Sequence, residues 1–302
     1  MHGMNRVEAV AMARGGTFTG TEAVALGSDP MMLRRYCLDG RATRLRRNAY
    51  VLTDVWEKAD TDGRARLTAQ AILLGRPESV GSHHTAAMLH GLPLFNRPLQ
   101  THVLAPVTRT WITRLLHVHP GRDQVIPTVV DGFLVVPIEV ALAQVASSDL
   151  LSHAVVPLDA ALHRRVVRRA QVRNATGPDV DPAITMKVLS LADDACESVG
   201  ETRTRILLRD LGFKVDSQVD IRDRADRLVG RVDFLVEGKV IVEFDGAVKY
   251  DGATGREALV SEKVREDALR ALGYRIVRIM WADLNDPAAI RAKVLQALHP
   301  AA

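Results

Sequence analysis

The sequence predicts a multidomain α/β (α+β) protein: helices and a basic hairpin first, an α+β middle, and last a mixed sheet flanked by helices. Three observations carry this. Residues 1–54 read as three short helical stretches followed by two strand-like runs that meet at Arg47-Asn48. Residues 184–302 read as helix, three strands, helix, strand, helix. Between them, Asn174 to Pro182 is rich in Pro, Gly and Asp and reads as a linker. The boundaries then fall near 54 and 183, reasonable for a chain of 302 residues.

Apolar residues make up 47% of the chain and aromatics 4%, so the cores are expected to be aliphatic. No apolar run reaches the ~18 residues of a membrane span. The longest, Phe133 to Ala146, is interrupted by Pro137 and Glu139. The first residues lack the apolar block of a secretory signal. The expectation is a soluble, cytoplasmic protein with no membrane partner. Cys37 and Cys196 stand far apart with no C-x-x-C, which points to two buried thiols rather than a thiolate zinc site.

In the N-terminal segment, Val7, Val10 and Ala11 lie on one face of a first helix that stops at Gly15-Gly16. Thr19 to Glu22 opens a second, and Ser28-Asp29-Pro30 a third, because Asp or Ser caps free amides and Pro suits the first helical position. Ala42 to Arg46 and Ala49 to Leu52 then form a hairpin. Helix, helix, helix, basic hairpin is the order of a winged helix-turn-helix, with the third helix in the major groove and the hairpin on the backbone. Arg34, Arg35, Arg41, Arg44, Arg46 and Arg47 fall here against one acid, Asp39. The net charge of +4 is weak evidence alone. Its concentration on both the third helix and the wing is what phosphate binding requires, since each cation placed on DNA releases counterions.

The strings G-G-T-F-T, A-V-A-L-G and L-R-R-Y-C-L-D-G-R-A-T-R-L-R-R-N-A-Y-V resemble the N-terminal domain of AbiEi-type antitoxins of type IV toxin–antitoxin systems. The resemblance implies binding to operator DNA and, as a further partner, a cognate toxin protein. The family usually has Gly in the wing turn; here Asn48-Ala49 stands there, and Asn tolerates left-handed backbone.

In the middle, Ser82 to Gly91 reads as a capped helix, followed by strands around Thr101–Leu104, Trp111–Val118 and Gly132–Val136, then helices over Ile138–Ser147 and Leu158–Val172. The string S-H-x-x-A-A-x-L-H-G-L is also similar to AbiEi-like proteins. His83, His84, His90, His102, His117 and His119 raise a metal question, and His117 and His119 share a strand face. No Cys or carboxylate lies at ligand spacing beside them, so packing or capping is the favoured reading over zinc. Arg164, Arg165, Arg168 and Arg169 form a second basic run, read as a solvated helix face with a second DNA contact as the alternative.

The C-terminal segment carries the acids. If Glu237-Gly238-Lys239 forms the turn, Asp233 lies opposite Glu243, and Asp233, Glu243 and Asp245 share one face. Phe234, Val236, Val240, Val242 and Phe244 then share the other face as core. Opposed acids destabilise unless something offsets them. A divalent cation does so: Mg²⁺ (or Mn²⁺) takes one or two carboxylates and phosphate oxygens. The competing reading is surface acids paired with Arg231 and Lys249.

The set E-x-x-x-R with L-x-x-x-G-F, Gln218, V-D-F, I-V-E-F-D-G-x-x-K-Y, E-K-x-R-E-D-x-L-x-x-x-G-Y and I-V-R-x-x-W-x-D-L resembles the PD-(D/E)XK nuclease superfamily, in the branch of very-short-patch-repair (Vsr) endonucleases. It covers residues 201–286 and implies a restriction-endonuclease-like mixed sheet. By position, the resemblance implies Asp233 and Glu243 as metal ligands and Glu201 as a further acid, although Ser198 to Glu201 is also a capping box. The usual E-x-K is E-x-D here, with Asp245 in the Lys place; Lys249 or Lys263 is the replacement cation expected. Arg265 and Asp267 are read as structural ion-pair partners.

Taken together, the domains expected are a winged helix-turn-helix over 1–54, an AbiEi-like α+β domain with linker over 55–183, and a Vsr-like nuclease domain over 184–302. The leading expectation is a DNA-binding protein that hydrolyses DNA phosphodiester bonds with Mg²⁺. The alternatives are a DNA-binding repressor or antitoxin whose nuclease fold is inactive, and an RNA-acting nuclease toxin.

Overall fold

Asp29 accepts a hydrogen bond from Met32 N at 2.7 Å, and Pro30 takes the first helical position, so the third helix starts where its cap dictates. A capping box between Thr19 and Glu22 starts the helix before it. In the computed structural model, which describes residues 2–246 and 253–299, this segment runs α1 (His2–Met12), β1 (Thr17–Phe18), α2 (Gly20–Ala25), α3 (Pro30–Leu38), β2 (Ala42–Arg46) and β3 (Ala49–Leu52). The strands form an antiparallel sheet in the order β1-β3-β2. Val7, Ala11, Phe18, Ala23, Leu33, Tyr36, Ala42 and Leu52 close the core between helices and sheet. Cys37 is half-buried rather than fully buried; Cys196 is buried, and burial pushes its thiol up to about 12.

The chain continues through α4 (Thr53–Lys58), α5 (Thr61–Leu74), β4 (Val80–Gly81), α6 (His83–Leu89), β5 (Thr101–Leu104), β6 (Trp111–Ile112), β7 (Leu116–His119), β8 (Thr128–Val130), β9 (Phe133–Val135) and α7 (Ile138–Ser148). A six-stranded sheet, β6-β7-β5-β4-β9-β8, packs its apolar side chains with α5, α6 and α7. The strand expected over Trp111–Val118 is two strands, β6 and β7, folded back on each other.

α8 (Leu151–His163), α9 (Arg169–Arg173) and α10 (Pro182–Leu191) follow. A continuous helix over Leu158–Val172 does not form. The chain leaves the helix after His163 and passes through Arg165 at φ 56°. The stacking of Arg164 on Arg168 and Arg165 on Arg169, which needs helical spacing, is therefore absent.

The last segment is α11 (Val199–Asp210), β10 (Val215–Arg222), β11 (Leu228–Val236), β12 (Val240–Asp245), α12 (Ala253–Ala271), β13 (Arg275–Met280) and α13 (Pro287–Leu298). The sheet order is β10-β11-β12-β13, antiparallel except for the parallel β12–β13 pair, which α12 connects. The expected αβββαβα order and mixed sheet are present. The chain divides into two compact units, Met1–Pro157 with Val167–Leu189, and Leu158–Val166 with Ser190–Ala302. In the second, Arg205 is fully buried and pairs with Asp159 at 2.8 Å, an ion pair whose breakage leaves an uncompensated buried charge. No helix among the described residues is long and apolar enough to cross a membrane.

Candidate functional site

The basic residues of the N-terminal segment divide by environment. Arg34 and Arg35 are exposed on α3; Arg44 and Arg47 are exposed on the β2–β3 hairpin, with Arg46 half-buried. Arg35 reaches only to Asp39, at 3.9 Å between two exposed side chains, a contact worth little. Arg44 Nε donates to Arg46 O at 3.3 Å. Among the described residues no ion pair links Arg34, Arg44, Arg46 or Arg47 to a carboxylate. Arg41 differs: it pairs with Glu8 at 2.5 Å and its guanidinium sits 4.8 Å from the Tyr36 ring centroid.

The hairpin turn is set by Asn48, at φ 62°. Its Oδ1 accepts from Thr21 N at 2.9 Å and from Thr21 Oγ1 at 3.1 Å, tying the wing to the start of α2. Sequence reasoning missed Arg76, half-buried in the same unit and 5.6 Å from the Trp111 ring centroid. Burial and then the charge of Arg46 lower its pKa, which places these two cations in one field.

The acids of the second unit come together from three elements. Val236 pairs with Val240 and Phe234 with Val242, so the register expected from the apolar pattern is present as far as Phe234, one residue short of Asp233. Glu237, Gly238 and Lys239 make the turn, the first two at φ 50° and 66°. Phe234, Val236, Val240 and Val242 are buried in one core cluster with Phe244 against it. Strict alternation breaks at Asp233. Val232 packs instead with Ile221, Ile241 and Leu269. Opposite this break β10 carries Gln218 at φ 51°.

Asp233 Oδ2 accepts from Phe244 N at 2.8 Å. Burial first, with the charges of Glu201 and Glu243 adding, pushes the Asp233 carboxyl up to about 6, against the lowering effect of that hydrogen bond and of Arg265. Glu201, buried on α11, is both a cap and a member of the cluster. Its amide donates to Ser198 Oγ at 3.1 Å, and its Oε2 accepts from Glu197 N and Gln218 Nε2, each at 2.9 Å. Arg205, four residues on, turns to Asp159 instead. Gly200 permits this approach of α11 to the sheet: a Cβ there would stand 1.9 Å from the Phe244 ring.

Glu243 is held by cations of the chain. Arg265 Nη2 lies 2.5 Å from its Oε1, and Arg278, its neighbour across β12–β13, lies 3.9 Å from its Oε2. Arg265 also binds Glu262 at 3.1 Å and the Arg231 carbonyl at 2.9 Å. Asp245 is exposed. Lys263 is exposed on α12, and among the described residues no contact links it to the acids. Lys249 lies outside the described residues. Among the described residues the cations that reach Glu243 are Arg265 and Arg278. Carboxylate oxygens are the hard donors that a magnesium-type ion takes, while Glu243 already has its counter-charge in Arg265.

A second convergence lies in the first unit. His83, His102 and His119 bring ring nitrogens within 4.8 Å of one another. The carboxylate that sequence spacing did not offer comes from Asp179, inside the segment read as a linker.

Residues 5–53 match a family described as a transcriptional regulator, AbiEi antitoxin. No curated protein matches the chain.

Proposed function

We propose that the chain is a DNA-binding transcriptional regulator of the AbiEi-antitoxin kind, contacting DNA through α3 and the β2–β3 wing. The observation that supports it most is the set of arginines, Arg34, Arg44, Arg46 and Arg47, which among the described residues have no carboxylate partner, on the helix and hairpin that a winged helix turns toward DNA. The match over residues 5–53 points the same way. A cognate toxin protein is a partner in this reading. A mobility-shift series on duplex DNA with Arg34→Ala and Arg47→Ala tests it: weaker binding in both variants supports it, and wild-type binding in both removes the proposed interface.

A second reading, a Mg²⁺- or Mn²⁺-dependent endonuclease, is favoured by the elevated Asp233 carboxyl beside Glu201 and Glu243. Asp233 and Glu243 would hold the ion, which would polarise the phosphate under attack. Gln218 and the Phe244 amide orient Glu201 and Asp233 in this account. Incubating DNA and RNA with the full chain in EDTA, Mg²⁺ or Mn²⁺, beside Asp233→Ala and Glu243→Ala, tests it. Metal-dependent cleavage lost in both variants supports the reading, with preference for RNA redirecting its substrate. Binding without cleavage in any metal rejects it.

A further inference from the structure

We propose that the first unit carries a zinc-class transition-metal site built by His83, His102 and His119, with Asp179 orienting one of the ligands. The fold brings these residues together from distant segments. β5 and β7 are parallel neighbours in which His102 pairs with His117 and Leu104 with His119, so the three strand histidines share one face. His102 Nδ1 lies 3.1 Å from His119 Nε2. Zn–N bonds of ~2.0–2.1 Å in tetrahedral geometry separate ligand nitrogens by about 3.3 Å, so this pair is already at ligand spacing. His83, the first residue of α6, lies over them, with its ring centroid 4.2 Å from that of His119.

The outer atoms are fixed in the way metal-binding imidazoles need. Asp179 Oδ2 lies 2.9 Å from His119 Nδ1, which turns Nε2 inward. Ser82 Oγ does not cap α6; it lies 3.0 Å from His83 Nδ1, which turns the other His83 nitrogen inward. That nitrogen, Nε2, is buried on a side chain only 1% exposed; among the described residues it makes no hydrogen bond, and it lies 3.6 Å from Asp179 Oδ2. A carboxylate or hydroxyl on the far nitrogen sets tautomer and ring orientation in histidine metal sites.

The backbone is committed to this arrangement. His83 at φ 50° and Asp179 at φ 59° both hold left-handed conformations that cost non-glycine residues energy. The fully buried Gln144 links them: its Oε1 accepts from His83 N at 3.0 Å and its Nε2 donates to Pro178 O at 2.9 Å. Metal binding requires the neutral form of each imidazole. His117, half-exposed, stacks on the His119 ring with centroids 3.9 Å apart. Imidazole nitrogens select zinc and its neighbours over magnesium, so this site is separate in chemistry from the acids of the second unit.

The test uses the untagged full chain stripped with EDTA and titrated with ZnCl₂ or CoCl₂. Bound metal is read by mass spectrometry and by the visible absorption of Co²⁺, and folding by circular dichroism. The expected result is one equivalent bound, lost in His102→Ala and His119→Gln, weakened ~10–100-fold in Asp179→Asn, and kept in the remote His163→Ala. Asp179→Asn retains size and shape, so it separates ligation from a folding defect. Absence of stoichiometric binding in the wild-type chain overturns the proposal, as does equal binding in His102→Ala and Asp179→Asn.

Discussion

Arg265 Nη2 lies 2.5 Å from Glu243 Oε1, so the carboxylate expected to bind a cation is held by one from α12. The pair is largely screened from solvent, with side-chain exposures of 26% and 13%. Removing one partner leaves the other charge under-solvated. Arg265→Ala should therefore destabilise the chain by about 1–3 kcal/mol, whereas the double variant with Glu243→Gln should recover part of that loss. Urea denaturation of the four proteins of the cycle measures it. Additive effects would show that the pair is not coupled.

The Asp233 carboxyl titrates near 6 in the folded chain, above the ordinary range for Asp, with burial as the main cause. The folded state then binds this proton more tightly than the unfolded state. The contribution to stability is present below about pH 4 and is lost as pH rises through about 6. Asp233→Asn should stabilise the chain at pH 7.5 by roughly 1–2 kcal/mol, discounted for partial solvent exposure, and give no gain at pH 4. Thermal unfolding at the two pH values checks this. An equal gain at both would show that ionisation of Asp233 is not the cause.

Asn48 holds the wing to α2 through Thr21. Asn48→Ala removes both hydrogen bonds and leaves a β-carbon at positive φ, at a cost of about 1–2 kcal/mol. Asn48→Gly loses the same bonds and relieves the backbone, so it should cost less. Hydrogen exchange at the Thr21 amide reads the local effect: faster exchange in both variants, with Asn48→Gly the more stable protein, is the expected outcome.

The residues explain why some of this was legible in the sequence. The register of β11 and β12 could be read because one choice buries Phe234, Val236, Val240 and Val242 together, as the structure does. The wing turn could be read because Asn48 is one of the few non-glycine residues at home there. β1 spans two residues and has no periodicity to detect. α5 buries Leu67, Ala69, Gln70, Ala71, Ile72 and Leu73, so it shows no amphipathic stripe. The role of Gly200 depends on the approach of α11 to Phe244 of the sheet, which local sequence does not encode. Asp179 lies far from its histidine partners in sequence, so spacing could not join them. Arg265 was read as a structural ion-pair partner, but its pairing with Glu243 spans 22 residues.

The most direct test of DNA binding through α3 and the wing is the salt dependence of affinity, measured by fluorescence anisotropy on a labelled duplex. Each phosphate contact contributes about 0.9 to the slope of log K against log salt concentration. Arg34→Ala and Arg47→Ala should each flatten the slope by about that amount. Arg41→Ala, which loses a contact to Glu8, should leave the slope unchanged. Slopes in Arg34→Ala and Arg47→Ala equal to that of the wild-type chain would contradict the account.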